Sequence, residues 1–327
     1  MVMSNSKLYS NTGGTSVATL RGAAQFESVT FHANVAQIGI EVFSAVTMNA
    51  VGWTENSAVW HLYVRSGGSL SFGDASTIAM NRAAVAVLFL ESNALCEIVN
   101  TQVITNSVTE FHLMSVLDFS TLHVMNSTIS SNEIANVSRL PFAPDSLIAK
   151  PPSHFLRSKT AIFAYSSSHV HMDKVIFSDN TIDVSSPFML QIVHNIRRSS
   201  SLVHLCFKKS LVRVSTNSTL DASNISATNN TNRGDLVFSE MGSTISVNSS
   251  NFTNNVVHGG MLVVVNSRST ATYQQVNLTK NVGGTAMGGI FQSLEGSSVT
   301  LNRVNVQSNT FDVSDVDGLL YPTVVVA

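Results

Sequence analysis

A short unit, an apolar residue followed three positions later by asparagine, recurs along the whole chain. Neighbouring copies lie 22 to 28 residues apart, except across two long gaps. A period of this length is typical of solenoid proteins, in which each repeat adds one turn to a continuous stack. The asparagines of the unit are Asn11, Asn34, Asn56, Asn81, Asn106, Asn132, Asn180, Asn255, Asn281 and Asn309.

The residues that precede each asparagine alternate as β-strands do. In VHMDKVIFSDN, which begins at Val170, apolar residues stand at the first, third, sixth and eighth positions. A period of two places one set of side chains inside and the other in solvent, whereas this spacing does not follow one face of an α-helix. Two short strands are therefore predicted before the asparagine, and a third strand, such as AIFAY or MLVVV, after it.

Strands this short are not stable alone, so each must pair with the same strand of the next repeat. The chain is therefore predicted to be an all-β, parallel β-helix solenoid of about 11 or 12 coils, with three short strands per coil. Because the repeat recurs from one end to the other, residues 1–327 are predicted to form a single domain.

The apolar residue of the repeat is predicted to form one buried interior column, because equivalent positions stack in a solenoid. Two copies deviate from the pattern. The copy after Leu70 has one extra residue, and in the copy after Leu220 the asparagine is taken to stand one place late. Both are interpreted as bulged coils. The column comprises Leu8, Phe31, Trp53, Ile78, Val103, Ile129, Phe177, Phe252, Leu278 and Val306.

The asparagine itself is expected to mark a sharp corner of every coil. Asparagine tolerates left-handed backbone angles better than most residues. Its side-chain amide can also hydrogen-bond to the amide one coil above, as in stacked strands. The sequence therefore predicts a structural asparagine ladder along one edge of the solenoid.

The first long gap in the repeat contains four of the six prolines, within SRLPFAPDSLIAKPPSHFLRSK. Proline cannot occupy central strands. Residues 137–158 are therefore predicted to form a loop insertion that leaves the coil. Such a loop either carries function, as loops on rigid solenoids commonly do, or is a tolerated surface insertion. The sequence leaves both interpretations open.

The second long gap contains a cluster of basic residues, Arg197, Arg198, Lys208, Lys209 and Arg213. One hypothesis is a contact patch for an anionic ligand such as an acidic polysaccharide. The favoured alternative is a set of ordinary solvated side chains that point in several directions. The formal net charge of the whole chain is only -2, so no nucleic acid partner is expected.

If the proline-rich segment is an insertion, Glu97, His123 and His171 stack on successive coils, and His169 shares the strand face of His171. Imidazoles at strand spacing beside a carboxylate could hold a metal ion or share protons. Chance alignment of surface residues is the favoured interpretation. No metal, cofactor or catalytic residue is therefore predicted.

The ends of the chain carry further expectations. No run of 18 or more apolar residues is present, so no membrane-spanning segment is predicted in this chain. The first residues lack the basic start and apolar stretch of a signal peptide. The chain begins partway through a coil and shows no capping helix. We therefore expect it to be a fragment of a longer protein.

The motifs FHAN, FSDN and FTNN, together with GGML at Gly259 and GGIF at Gly288, resemble those of a known class of proteins. They are similar to repeats of right-handed parallel β-helices of the pectin-lyase-like type, including polymorphic outer-membrane proteins of chlamydiae and large protist surface-protein families. The resemblance implies a right-handed coil and a non-enzymatic surface or adhesion scaffold that presents loops. It also implies a polysaccharide or cell-surface partner, and a location at the cell surface or outside the cell if the longer protein is secreted or anchored.

Two alternatives remain for the function. Polygalacturonases and pectate lyases share the same fold, so a carbohydrate-active lyase or hydrolase is the first alternative. The chain lacks the GHG and RIK motifs of polygalacturonases, and no repeat column pairs two carboxylates as glycoside hydrolysis requires. A structural spacer within a larger protein is the second alternative.

Overall fold

The chain folds as a stack of parallel β-strands, and the predicted all-β solenoid is confirmed. Strands pair in parallel with the equivalent strands of the next turn of the chain, which we call a rung. The described residues contain no helix. The computed structural model describes residues 1–109, 111–135, 158–182, 208–232, 234–258, 261–283 and 290–311.

The first sheet contains eleven strands in the described residues. Its strands alternate buried and solvent-facing side chains, as the sequence pattern predicted. They are β1 (Val2–Ser4), β4 (Ala24–Glu27), β7 (Ala45–Asn49), β10 (Ser69–Gly73), β13 (Leu95–Val99), β17 (Thr121–Met125), β21 (His169–Asp173), β25 (Thr219–Ser223), β29 (Thr244–Asn248), β33 (Thr270–Gln274) and β37 (Ser298–Asn302).

The second sheet also contains eleven strands in the same part of the chain, each three residues long with its central side chain pointing inward. They are β2 (Lys7–Tyr9), β5 (Thr30–His32), β8 (Gly52–Thr54), β11 (Thr77–Ala79), β14 (Gln102–Ile104), β18 (Thr128–Ser130), β22 (Ile176–Ser178), β26 (Ser226–Thr228), β30 (Asn251–Thr253), β34 (Asn277–Thr279) and β38 (Asn305–Gln307).

The third face is less regular, because its early rungs have one strand, whereas from β15 onward a two-residue strand precedes a second strand of three to eight residues. The strands are β3 (Ser16–Leu20), β6 (Val35–Val42), β9 (Ser57–Val64), β12 (Arg82–Leu90), β15 (Ser107–Val108), β16 (His112–Leu117), β19 (Glu133–Ile134), β20 (Ser158–Tyr165), β23 (Thr181–Ile182), β24 (Lys208–Ser215), β27 (Thr231–Asn232), β28 (Val237–Glu240), β31 (Val256–Val257), β32 (Val263–Val265), β35 (Val282–Gly283), β36 (Phe291–Ser293) and β39 (Thr310–Phe311). The predicted loop at 137–158 lies outside the described residues except for Ser158, which begins β20.

The predicted interior column is present along the second sheet. Phe31 pairs in register with Trp53, and the column continues through successive rungs to Leu278. The inner members are buried, whereas Leu8 is half-buried and Val306 is 40% exposed. These two lie in the first and last described rungs, where a neighbouring rung covers only one side. The prediction of burial is therefore wrong for Val306.

The two irregular repeats have different outcomes. The turn between β10 and β11 contains the predicted extra residue, because three residues connect these strands where two connect β13 and β14. The interpretation of the repeat after Leu220 as a bulged coil is wrong. Leu220 and Ala227 pair in register with the rung before them, and Asn230 occupies the regular ladder position. Alanine at the apolar position concealed this copy of the repeat.

The asparagine ladder runs through the corner between the second sheet and the third face. In each of its ten links, Nδ2 of one asparagine donates to Oδ1 of the asparagine one rung further on, over 2.8 to 3.1 Å. Asn56, for example, also donates from its backbone nitrogen to the same oxygen of Asn81 and from Nδ2 to the backbone oxygen of Phe31. The predicted stacking of asparagine is therefore confirmed.

The expected backbone role of the ladder asparagine is wrong. The left-handed residue of this corner is the one that precedes the asparagine: Ala33, Glu55 and Met80 have φ angles of 53°, 56° and 54°. The ladder asparagines are not among the residues with positive φ. Asparagine is required at the corner because its amide satisfies buried backbone groups and the next amide at once.

Candidate functional site

The predicted histidine column lies on the solvent side of the first sheet. Glu97, His123 and His171 pair in register on β13, β17 and β21. His123 Nδ1 lies 3.8 Å from Glu97 Oε1, and its ring centroid lies 5.7 Å from that of His171 and 6.4 Å from that of His169. His169 is also 3.8 Å from Asp221 Oδ2. The structure thus brings together all four residues that the sequence singled out.

The side chains of Glu97 and His123 in this column are partly exposed to solvent. Partial burial lowers the pKa of His123, and the neighbouring imidazole of His171 adds to the effect. The side chains of His123 and Glu97 are 33% and 42% exposed. In the part of the chain that the structure describes, no three histidine, cysteine or carboxylate side chains are arranged to hold a metal ion.

The predicted basic patch is only partly within the described residues. Arg197 and Arg198 lie outside them, and of Lys208 and Lys209 only the strand position in β24 is defined. Arg213 forms an ion pair with Glu240, to which its Nε donates a hydrogen bond of 3.1 Å. Its guanidinium also lies over the ring of Phe238, 5.4 Å from the centroid. Arg213 is therefore engaged within the fold, and the patch as a whole stays a prediction.

A network that the sequence analysis missed lies on the third face of the early rungs. Arg65, which follows β9, donates from Nε to Glu41 on β6 over 2.8 Å and from Nη1 to Glu91 after β12 over 3.2 Å. Its Nη1 also donates to the hydroxyl of Tyr63 over 2.7 Å, and that hydroxyl donates to Glu91 over 2.9 Å. One cation thus connects two carboxylates and a phenol across three rungs. Burial, followed by the charge of Glu91, raises the pKa of Tyr63.

Planar groups extend this network into a continuous row, which we call the planar row: Trp60, Tyr63, Arg65, Phe43 and Arg21. The rings of Trp60 and Tyr63 are 5.6 Å apart, and the guanidinium of Arg65 lies 3.9 Å from the centroid of Tyr63. The ring of Phe43 lies between two guanidinium groups, at 5.9 Å from Arg65 and 5.1 Å from Arg21. Alternating aromatic and cationic planes stabilise each other through the ring quadrupoles. The row is therefore an ordered surface.

A second polar group lies deeper on the third face. His112 on β16 is in register with Thr160 on β20, and its Nδ1 lies 2.9 Å from Thr160 Oγ1. Both residues are 0% exposed. Burial, with the charges of Arg213 and Lys159, holds the pKa of His112 well below its usual range. A neutral imidazole beside a hydroxyl is the pairing that activates nucleophiles. Neither side chain is open to solvent, so we assign the pair a structural role.

A signal for the Arg65 network was present in the sequence but required the correct rung alignment. Glu41 and Tyr63 both stand seven positions after a ladder asparagine, Asn34 and Asn56. They therefore had to be neighbours once the ladder was in place, as the register shows. The third strand has no constant residue type, so no motif drew attention to these positions.

The comparisons with known proteins give no family assignment. No protein-family description matches the chain, and neither a curated protein nor a solved structure is significantly similar to it. Membership of the pectin-lyase-like or surface-protein families therefore stays a prediction.

Within the ranges that the structure describes, there is no apolar helix of the length needed to span a bilayer.

Proposed function

We propose that the chain is a non-enzymatic scaffold of the surface or adhesion type, acting at the cell surface or outside the cell. It binds a partner through side chains that the rigid rungs hold in place. The observation that carries this proposal is the planar row. Tryptophan, tyrosine and arginine are the residues that dominate binding energy at interfaces. Trp60 and Tyr63 project from strand β9, which holds them more precisely than a loop would.

The carboxylates near the planar row favour binding over catalysis. Glu41 and Glu91 both accept hydrogen bonds from Arg65. A glycoside hydrolase needs one carboxyl group on each side of the scissile bond, with a gap between them for the substrate. Here the guanidinium of Arg65 occupies the space between the two groups. The network therefore supports a pre-organised contact surface.

The test is a comparison of binding with turnover. The purified chain is incubated with acidic and neutral polysaccharides and with intact cells, and both retained protein and released sugar ends are measured. Saturable binding without release of sugar supports the scaffold. Release of reducing or unsaturated ends would instead establish a hydrolase or a lyase, and the absence of both would leave a spacer.

A variant in which Arg197, Arg198, Lys208 and Lys209 become serine separates the basic patch from the planar row. If an acidic polysaccharide is the partner, this variant loses its binding. If the planar row is responsible, the variant binds as the unchanged chain does.

A further inference from the structure

Asparagine followed two positions later by serine or threonine is the acceptor sequence for N-linked glycans. None of the nine asparagines that precede Asn126 has such a hydroxyl residue two positions later. The acceptor asparagines are Asn126, Asn136, Asn217, Asn224, Asn229, Asn248, Asn251 and Asn277, of which Asn136 lies outside the described residues. Six of the eight lie between positions 217 and 277, so the acceptor sequences are concentrated in the later rungs.

The rung formed by β25, β26 and β27 has an acceptor asparagine at each of its three corners. Asn217 stands between β24 and β25, Asn224 between β25 and β26, and Asn229 between β26 and β27. Their φ angles are 55°, 54° and 54°, and all three residues are exposed. Asn126, at the corner that Asn224 occupies two rungs further on, has a φ of 47° and is exposed as well. Four acceptor asparagines therefore stand in solvent at left-handed corners.

The corner conformation explains the asparagine but not the hydroxyl residue that follows it. Asparagine tolerates left-handed backbone angles. Asn100 occupies the corner one rung before Asn126, with a φ of 49° and the same exposure, but Gln102 follows it in place of a hydroxyl residue. Asn254 occupies the corner one rung after Asn229 and is followed by Val256. These two corners therefore differ from the acceptors only in sequence.

The asparagines of the ladder form a separate set. None of the eleven has serine or threonine two positions later. That position lies at the start of the third face, where Ala58, Ala83 and Val108, for example, are buried. A glycan is bulky and needs solvent, so on Asn56 it would break the amide bond to Asn81. The residues that hold the coil together and the residues that can accept a glycan thus do not overlap.

The attachment chemistry is compatible with the contacts of the corner amides. The donor is an oligosaccharide carried on a polyprenyl diphosphate. The side-chain nitrogen Nδ2 forms a bond to the anomeric carbon of the first sugar and loses one proton. The bond between that carbon and the diphosphate oxygen breaks, and the lipid diphosphate leaves. One N–H remains, so Asn224 can keep the hydrogen bond of 2.8 Å that its Nδ2 donates to Asp173 Oδ1.

We propose that Asn126, Asn217, Asn224 and Asn229 carry N-linked glycans. Three of these glycans extend from the three corners of one rung, whereas the rungs before Asn126, which include the planar row, contain no acceptor sequence. This assignment rests on the proposed function, because the oligosaccharide donor is met on the route to the cell surface. It adds a modification to that function.

The test uses the whole chain fused to a secretion leader and produced in eukaryotic cells. Peptide N-glycosidase in water enriched in oxygen-18 converts each glycan-bearing asparagine into a heavier aspartate, which mass spectrometry locates. We expect this conversion in most molecules at the four corner asparagines. We expect none at Asn100 or Asn254, which are exposed at equivalent corners without an acceptor sequence.

Two substitutions move the acceptor sequence without changing a corner asparagine. Ser226→Ala should abolish the glycan on Asn224 and leave the other three in place. Gln102→Thr should add a glycan to Asn100. Gln102 is exposed and pairs in register with Thr128, so the new side chain is one that the next rung already has. Circular dichroism and thermal melting verify that each variant keeps the fold.

The outcomes separate this inference from the proposed function. The inference is overturned if the secreted, folded chain carries no glycan at the four corners. It is also overturned if the modified chain is retained in the cell while a variant with glutamine at all four positions is secreted. In either case the scaffold stands when the chain binds polysaccharide or cells without turnover. If the corners are modified but the chain binds nothing, before and after removal of the glycans, the proposed function fails and this inference stands.

Discussion

The early rungs and the rungs between β21 and β33 share one hydrogen-bonded frame but differ in how their interior is filled. In the early rungs large rings interlock: Phe31 and Trp53 have centroids 4.9 Å apart, and Trp53 donates from Nε1 to His61 Nδ1 over 3.3 Å. Gly39 is required there, because a Cβ atom would lie 2.5 Å from the indole ring of Trp53. The interior of the early rungs therefore has no space for an additional side-chain atom at Gly39.

The interior of the later rungs contains gaps and unpaired polar groups. A small apolar cavity of about 20 Å³ is lined by Phe177, Ala222 and Ala227, among others. The amide of Asn232 and the hydroxyl of Tyr273 are buried and have no hydrogen-bond partner among the residues that the structure describes. The frame is nevertheless equally regular in both regions. The asparagine ladder and the strand pairing therefore determine the path of the coil, while side-chain packing in the interior changes the free energy of unfolding.

The largest expected effect comes from removing one interior aromatic ring from the early rungs and one from the later rungs. Trp53→Ala should lower the free energy of unfolding by about 3 to 5 kcal/mol, since it opens a cavity in a rigid interior and leaves His61 without its donor. Phe177→Ala should cost less, near 3 kcal/mol, because Phe177 lines an existing cavity beside small residues that can rearrange. Chemical denaturation of both variants measures the difference. Equal costs would show that the two interiors are packed alike.

Acid should destabilise the early rungs through His61. Burial lowers the pKa of His61 from 6.5 to about 4, although a hydrogen bond to the backbone oxygen of Arg82 opposes the shift. Between these values the unfolded chain binds a proton that the folded chain does not. The free energy of unfolding therefore falls by about 3 kcal/mol as the pH falls from 6.5 to 4. Above pH 6.5 His61 is neutral in both the folded and the unfolded chain, so it no longer lowers the free energy of unfolding.

Denaturation curves at several pH values measure this dependence. His61→Gln keeps an acceptor and a donor without a titrating ring, so the variant should lose much of the slope. His112, whose pKa is also lowered by burial, supplies the remainder. An unchanged slope in His61→Gln would assign the acid effect to other groups.

Replacing the unpaired amide should stabilise the later rungs. Asn232 stands in register between Ile182 and Val257, and both neighbours are buried. Burial of the Asn232 amide costs free energy because the amide loses its hydrogen bonds to water. Asn232→Val removes this cost, and we expect the free energy of unfolding to rise by about 1 to 3 kcal/mol. The control is Asn230→Val, which breaks the ladder and should destabilise the chain. A loss of stability in Asn232→Val would indicate a partner for this amide.

The smallest expected effect is the filling of the cavity. Ala227→Val adds two methyl groups beside Phe177 and should raise the unfolding free energy by about 0.5 to 1.5 kcal/mol. The equivalent change in the tight region, Gly39→Ala, should destabilise because the new atom also overlaps the backbone oxygen of His61. Thermal melting of the two variants measures whether each change raises or lowers stability. Destabilisation by both changes would remove the contrast between the two interiors.

The sequence predicted the features that repeat and missed those that do not. The interior column and the ladder use one residue type at one spacing, so they were visible in the chain alone. Asn230 escaped because Ala227 replaces a larger apolar residue in front of it. The left-handed backbone position was placed on the asparagine because residues such as Ala33 and Glu55, which adopt it, vary from rung to rung.

The candidate site was harder to predict than the fold. The histidine column could be expected because Glu97, His123 and His171 stand at one repeat position. The planar row was missed although Arg21, Phe43 and Arg65 also stand at one repeat position, directly after the paired residues Leu20, Val42 and Val64. Their residue types differ, so the repeat pattern did not show the contacts between guanidinium groups and ring. Such contacts depend on side-chain directions at turns, which the repeat does not define.

The ladder has a consequence for how such a chain can grow. Consecutive amides make the same bond whether 22 residues separate them, as for Asn34 and Asn56, or 50, as for Asn180 and Asn230. Extra residues between two ladder asparagines therefore leave the hydrogen bonds of the ladder unchanged. Foreign sequence could be grafted between the two strands of a third-face rung, as between β23 and β24, and whole turns could be duplicated or deleted, with little cost to the remainder. The segments between ladder residues can therefore change in sequence and length while the asparagine ladder and the paired strands keep the same structure.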